Sequence, residues 1–253
     1  MRLKVIACNA LSREVYFSAA QSPHVVDVEL LDRSLHEEPD RLRLAVQAVI
    51  DRTDSAAYDA IALGLALCSN AAASLVASSK PLVLPRAHDC ITLMLGSRKR
   101  YNARFRDNPG TYYYTAGWIE RAGPDKERVT VEGKEARERI FREYVDKFGE
   151  ENALYLMDVL HSWHKNYNRA VFISSPVPEL RVVEGPAKER AQRIAAEHGW
   201  AYEEAEGDLS LFRKLVFGEW NDDEFLVIPP GQRIEPSFDD LVVRCATCSD
   251  ASL

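Results

Sequence analysis

Short apolar runs rich in β-branched residues alternate with longer segments of helical periodicity along this chain. In the first part of the chain the runs, which we interpret as strands, cover residues 3–8, 25–31, 59–67 and 81–85. Helical patterns at residues 12–20 and 40–51, and the small residues of the run 69–79, are expected to form the intervening helices. Strands separated by helices are typical of right-handed βαβ crossovers and a mainly parallel sheet. The alternation therefore predicts an α/β fold.

A second series of the same kind follows a turn at residues 107–110. Its expected strands are residues 111–119, 170–175, 200–206 and 224–230, and residues 133–166 are expected to be mostly helical. Two comparable series predict two similar Rossmann-like halves with mainly parallel sheets and a cleft at the carboxyl ends of the strands. The expected domains are residues 1–106, residues 107–236 and a polar tail at residues 237–253.

Charge and hydropathy exclude several classes of partner. The formal net charge is −7, and lysines and arginines are scattered among the acidic residues, so no basic face is expected for a nucleic acid. No apolar run approaches the roughly 20 residues of a membrane span, and the first residues do not resemble a signal peptide. A cytoplasmic protein is therefore expected. The phosphate-binding glycine motifs and the serine elbow of the α/β hydrolases are absent from the sequence.

Cysteines and histidines fall where the expected strands end. Cys8 ends the first strand, His36 follows the second, Cys68 ends the third, and His88 and Cys90 follow the fourth. Ligands of open parallel sheets bind at the carboxyl ends of strands. Because neighbouring strands lie about 4.8 Å apart, the three thiols would converge if their strands are neighbours.

Two functional interpretations remain open from these residues. In the first, Cys8, Cys68 and Cys90 bind either a zinc ion or an iron–sulfur cluster with one open coordination position, and the protein is an enzyme. His88 or His36 would then be a further ligand or a proton donor. In the second, the thiols only fill the core, and the chain is a non-catalytic α/β module that binds a small ligand or a partner protein.

The substrate expected for the first interpretation is a small, anionic molecule. Side chains placed to contact it share positions at strand ends or in a strand that lines the cleft, and they are Arg86, Asn70, Tyr112, Trp118 and Ser174.

Two further patterns carry less chemistry. The pair Cys245 and Cys248 has no second CxxC with which to complete a zinc site, so it is expected in a tail. His161 and His164 share one helix face but lack the HExxH framework of a metalloprotease.

Four runs of the sequence resemble the core motifs of the family known as domain of unknown function 1638. They are GLALCSN (64–70), LVLPRAHDCITLMLGSRKRY (82–101), GTYYYTAGWIE (110–120) and WNDDEFLVIPPG (220–231), with LHEEP (35–39) as a weaker match. The resemblance extends over about residues 3–235. This sequence departs from the family pattern around the second cysteine, Cys68. The family commonly has glycines there, whereas this chain has Ala66, Ser69 and Ala71, which give the backbone less freedom.

The resemblance also implies a biological setting. Members of this family occur near genes for corrinoid-dependent methyl transfer. From the resemblance we therefore expect a role in one-carbon or corrinoid-linked methyl metabolism, with a corrinoid or methyltransferase protein as a partner.

Overall fold

A computed structural model describes residues 1–121, 134–160 and 163–247 of the chain. The strands are β1 (Arg2–Cys8), β2 (Val25–Leu31), β3 (Ala60–Gly64), β4 (Leu82–Pro85), β5 (Thr111–Thr115), β6 (Arg169–Ser174), β7 (Ala201–Glu206), β8 (Phe225–Ile228), β9 (Gln232–Pro236) and β10 (Val243–Thr247). The helices are α1 (Ser12–Ala20), α2 (Pro39–Arg52), α3 (Cys90–Met94), α4 (Arg98–Asp107), α5 (Ala116–Glu120), α6 (Lys134–Phe148), α7 (Glu150–Leu160), α8 (Glu184–His198) and α9 (Ser210–Phe217). None of these helices is long and apolar enough to cross a membrane.

The chain divides into two compact units. The first unit contains Met1–Ala103, Ser175–Leu180 and the residues from Glu206 onward. The second unit contains Arg104–Ser174 and Arg181–Ala205. The first division lies close to the boundary expected near residue 106, but the return of the chain to the first unit after Glu206 was not expected.

A five-stranded sheet with the order β2-β1-β3-β4-β8 forms the centre of the first unit. β1 to β4 are parallel, and β8 pairs antiparallel with β4. All residues of β3 and β4 are buried, as expected for strands covered on both faces. The chain leaves β1 towards β2 on one side, whereas β3 lies on the other side of β1, so the order of the sheet reverses between β1 and β3.

A glycine allows β1 and β3 to approach each other closely where the order reverses. A Cβ atom at Gly64, the last residue of β3, would lie 2.8 Å from the Cβ of Ala7. Any larger residue would therefore push the carboxyl ends of β1 and β3 apart. α1 packs against α9, and α9 contacts β3 and β4. The core thus holds the carboxyl ends of the central strands in fixed positions.

The second unit contains a three-stranded sheet with the order β5-β6-β7, in which β5 and β6 are parallel. α8 covers this sheet with Ala187, Ala191 and Ile194, which pack against Tyr114 and Phe172. Gly199 ends α8 in the left-handed conformation expected of a glycine cap. The mixed α/β character and the mainly parallel sheet are confirmed, whereas the similarity of two Rossmann-like halves and a cleft stay predictions.

Two local expectations were wrong, and two strands have pairing partners that were not expected. The small-residue run 69–79 forms turns and a single β-bridge instead of a helix. The strand expected over 111–119 ends at Thr115, and α5 begins at the next residue. The strand expected over 224–230 is β8, which joins the sheet of the first unit through β4. Within the expected polar tail, residues 243–247 form β10, which pairs with β9.

Candidate functional site

Three cysteines lie at the carboxyl edge of the central strands of the first unit. Cys8 is the last residue of β1 and is buried, Cys68 follows β3 by four residues, and Cys90 is the first residue of α3, which follows β4. Because β1, β3 and β4 are consecutive in the sheet, the three residues share one edge. We call Cys8, Cys68 and Cys90 the cysteine rim.

The loops that carry Cys68 and Cys90 are hydrogen-bonded to each other beyond the ends of their strands. The backbone N–H of Leu67 donates to the carbonyl of Ala87, and that of Cys68 donates to the carbonyl of His88, both at 2.9 Å. These bonds place Cys68 beside the residues 88–90. The proximity expected from the sequence depends on this contact between the two loops.

Each thiol of the rim is held in its protonated form. Burial raises the pKa of Cys8 to about 11 and that of Cys68 to about 12. Burial raises the pKa of Cys90 well above its ordinary value, and the neighbouring Cys68 and Cys8 raise it further. The three sulfurs are therefore close enough for the charge on one to disfavour the charge on another.

The side chains of the rim are not arranged around a single ion. In residues 1–121, 134–160 and 163–247, no group of three or more His, Cys, Asp or Glu side chains is placed to hold a metal ion. A four-coordinate zinc ion with bonds of about 2.3 Å to sulfur would bring its thiolates to within about 4 Å of one another. The three thiols of the rim are not among such groups in the described part of the chain.

His36 is held in one orientation by the backbone after β2. It lies half-buried in the 3₁₀ turn Arg33–Glu37, after β2, and its Nδ1 is 3.2 Å from the carbonyl oxygen of Arg33. Since a carbonyl only accepts, Nδ1 carries the proton of the neutral ring and Nε2 carries the lone pair. Burial lowers the pKa of His36, which favours this neutral form. Its role as a metal ligand or a proton donor stays a prediction.

His88 has a different environment. Its side chain is exposed, and its backbone carbonyl accepts the hydrogen bond from Cys68. The backbone of His88 therefore holds the loop of Cys68 in place, and the role of the His88 ring stays a prediction.

Asp89 positions Cys90 and was missed by the sequence analysis. Its Oδ1 accepts hydrogen bonds from the backbone N–H groups of Ile91 at 3.1 Å and Thr92 at 3.2 Å, which caps α3. Its Oδ2 accepts from the hydroxyl of Tyr101 at 3.1 Å. Burial raises the pKa of Asp89. An aspartate directly before an apolar helical pattern is a known cap signal and could have revealed it.

Arg33 is a buried cation beside Cys8 and was also missed. Its side chain is only 1% exposed, and its backbone N–H donates to Oδ1 of Asn9 at 2.9 Å. Asn9 also donates to Asp32 at 3.4 Å and so joins the loops after β1 and β2. The guanidinium of Arg33 lowers the pKa of Cys8 and of His36. In the sequence, nothing distinguishes Arg33 from the many exposed arginines.

A strained turn follows β3 at the rim. Cys68, Ser69 and Asn70 have φ values of 47°, 54° and 66°, in the left-handed region that glycine prefers. This conformation costs about 1–2 kcal/mol for each residue with a side chain. The backbone N–H of Ala71 donates to the carbonyl of Cys68 at 3.0 Å and closes the turn. Backbone strain of this kind concentrates at functional sites.

Two expected substrate contacts of the first unit have structural partners. The guanidinium of Arg86 donates to the backbone carbonyls of Asp222 at 2.7 Å, Phe225 at 3.2 Å and Leu241 at 3.3 Å, and also to that of Val243. These bonds join the loop after β4 to the segment 222–243. The side chain of Asn70 is exposed, while its carbonyl accepts from Arg43 at 3.3 Å.

The other expected contacts lie in the second unit. Tyr112 packs against the rings of Tyr114 and Tyr167, with centroids at 4.9 and 5.3 Å. Trp118 lies in α5, and its backbone N–H donates to the cap residue Thr115 at 3.2 Å. Ser174 ends β6, and its buried hydroxyl has no hydrogen-bond partner among the described residues. Their contact with a substrate stays a prediction.

The two patterns of lesser weight are only partly described. Cys245 lies on β10, and its sulfur donates to Oε1 of Gln232 at 2.7 Å. His164 lies in a short 3₁₀ turn, with its ring centroid 5.0 Å from that of His198. Cys248 and His161 lie outside the described residues.

Comparisons with known proteins identify one family. The family model described as protein of unknown function DUF1638 matches residues 30–216 of this chain. No curated protein and no solved structure matches the chain. The matched range contains Cys68, Cys90 and His36, whereas Cys8 precedes it.

Proposed function

Because the chain belongs to the DUF1638 family, a family of unknown function, we propose its function from the geometry of the cysteine rim. Cys8, Cys68 and Cys90 bind a metal centre that acts on a small molecule. The observation that carries this proposal is the consecutive order of β1, β3 and β4. This order places three cysteines from distant parts of the chain on the edge where open α/β sheets bind their ligands.

An iron–sulfur cluster suits this edge better than a single zinc ion. The thiols influence one another's ionisation, yet no group of three side chains in the described residues is placed to hold one ion. A cluster binds each thiolate through a different iron and therefore holds the sulfurs farther apart than a single ion does. Three cysteines would leave one iron open for a substrate. Such a centre supplies Lewis acidity or electrons to the bound molecule.

The surroundings of the rim favour an anionic substrate. Arg33 places a buried positive charge beside Cys8, and His36 lies in the 3₁₀ turn that begins at Arg33. This assigns to Arg33 the electrostatic role expected for Arg86, whose guanidinium is occupied by backbone carbonyls. A role in one-carbon or corrinoid-linked methyl metabolism is part of the proposal and rests on the family resemblance alone.

A second candidate function is a binding module without catalysis. The raised pKa values of the rim thiols and the absence of an ion-holding group in the described residues favour it. Protonated thiols are nevertheless compatible with metal binding, because a metal displaces the protons when it binds.

Metal analysis separates the two candidates. The protein is purified without oxygen, supplied with ferrous iron and sulfide or with zinc, and assayed for bound metal and for visible absorbance. The metal-centre proposal predicts bound iron and sulfide that are lost in Cys68→Ser and Cys90→Ser. Cys245→Ser is the matched control and should keep the full content, since Cys245 lies on β10. Failure of the parent protein to retain either metal would overturn the proposal and leave the binding module.

A further inference from the structure

Two buried hydroxyl groups of the second unit have no hydrogen-bond partner among the described residues. Tyr114 in β5 is 0% exposed and Ser174 at the end of β6 is 8% exposed, and the hydroxyl oxygen of each is buried. Tyr114 pairs with Phe172, and Ser174 follows Phe172 by two residues. Because alternate residues of a strand point to one face, both side chains lie on the face that α8 covers. Buried hydroxyls without a partner are rare and call for a bound molecule or water.

Arg190 of α8 brings a positive charge to this face. Burial raises the pKa of Tyr114, and the nearby guanidinium of Arg190 partly opposes this rise. No hydrogen bond joins the two groups, although they are close enough for this effect. Arg190 is half-buried and, in the part of the chain that the structure describes, forms no hydrogen bond or ion pair. An anion placed between the guanidinium and the hydroxyl would accept hydrogen bonds from both.

The other charges on this face indicate how much negative charge the anion carries. Lys188 lies over the ring of Phe172 at 5.5 Å and forms ion pairs with Glu184 at 3.4 Å and Glu204 at 2.8 Å. Its charge is therefore already compensated, and the two glutamates leave one negative charge in excess. Arg190 supplies one positive charge for a ligand. A single negative charge matches this balance, whereas a dianion such as phosphate would be repelled more strongly.

We propose that Arg190, Tyr114 and Ser174 bind the carboxylate of a small monoanionic molecule. The two hydroxyls and the guanidinium donate hydrogen bonds, and the two carboxylate oxygens have about four acceptor positions to receive them. Water can satisfy the hydroxyls, but water does not balance the charge of Arg190. All three residues belong to the second unit. This binding site is therefore additional to the metal centre proposed for the cysteine rim.

Thermal unfolding in sodium acetate, propionate or pyruvate, compared with sodium chloride of equal ionic strength, tests the proposal. A carboxylate at about ten times its dissociation constant should raise the Tm of the parent by roughly 3–6 °C more than chloride does. Sodium phosphate should raise it no more than chloride. Tyr114→Phe, Ser174→Ala and Arg190→Gln should each weaken carboxylate binding at least about tenfold. The matched control is Arg193→Gln, an exposed position of α8, which should bind like the parent.

The variants also separate a binding role from a structural one. Tyr114→Phe and Ser174→Ala remove only atoms that have no partner among the described residues, so without ligand their Tm should equal or exceed that of the parent. Cys68→Ser should keep the carboxylate response, and its loss would assign the binding to the rim and overturn the proposal. A parent with no response beyond that to chloride, or an undiminished response in Tyr114→Phe and Arg190→Gln, would also overturn it. An equal response to phosphate would refute the preference for a carboxylate.

Discussion

The reactivity of the rim thiols gives a quantitative prediction for the metal-free protein. Burial raises the pKa of Cys8 to about 11 and that of Cys68 to about 12, from an ordinary value of 9.0. The thiolate is the nucleophile, and its fraction falls about tenfold for each unit of pKa at neutral pH. Native Cys8 and Cys68 should therefore react about 100-fold and about 1,000-fold more slowly with iodoacetamide than the same residues in the denatured chain.

Alkylation followed by peptide mass spectrometry measures both rates in one sample. Steric shielding also slows a buried thiol, so the pH dependence separates the two causes. In the denatured chain the rate should level off above about pH 9, whereas at native Cys68 it should keep rising about tenfold per pH unit to beyond pH 11. A native rate that levels off near pH 9 would refute the reasoning, because shielding alone would then account for the slow reaction.

Three further predictions concern stability. The raised pKa of Cys8 means that the unfolded chain loses this proton at lower pH than the folded chain does. The contribution of Cys8 to the free energy of unfolding is therefore complete below pH 9 and should fall by about 2–3 kcal/mol as pH rises to 11. In urea titrations at several pH values, Cys8→Ala should remove this part of the pH dependence, and an unchanged pH dependence would contradict the assignment. Ser69→Gly should raise the free energy of unfolding by about 1 kcal/mol, because glycine adopts the left-handed backbone conformation of residue 69 without strain. Ser69→Ala should not raise it. A glycine variant that is less stable than the parent would count against the strained turn. Arg86→Met should lower the free energy of unfolding by about 2–4 kcal/mol, because it leaves buried carbonyls without a donor. A variant of normal stability would contradict this structural role and favour the substrate-binding role expected from the sequence.

Local sequence pattern was sufficient for the strands and helices that form the first part of the sheet. The periodicity predicted a helix at 12–20 and a strand at 25–31, and α1 and β2 have those bounds. Buried β-branched runs and amphipathic helices carry their own signal, because each depends on residues within one element.

Long-range pairing explains the expectation that failed beside the rim. The small residues of 69–79 favour a helix, but the backbone N–H of Ser74 donates to the carbonyl of Ile234 at 2.7 Å. That of Ala77 donates to the carbonyl of Gln232 at 2.9 Å. The partner strand is more than 150 residues away along the chain, so no local pattern indicates it. The same reason applies to β8, which pairs with β4 instead of a strand of the second unit.

The candidate site was predictable only in part. The sequence places Cys8, Cys68 and Cys90 after three strands, but strand order decides whether they meet, and periodicity does not encode strand order. Arg33 and Asp89 were missed because a buried arginine and a capping aspartate look like ordinary loop residues until their partners are known.

Protection of the cysteines by metal tests the central claim most directly. The native protein is alkylated without oxygen at about pH 10, where the metal-free rim thiols react at measurable rates, before and after loading with iron and sulfide. The reagent is then quenched, and each cysteine is scored by mass spectrometry. The account predicts that Cys8, Cys68 and Cys90 become protected together, in proportion to bound metal, while Cys245 is modified as before. Metal that binds without protecting all three, or that protects Cys245 equally, would contradict a shared centre at the rim.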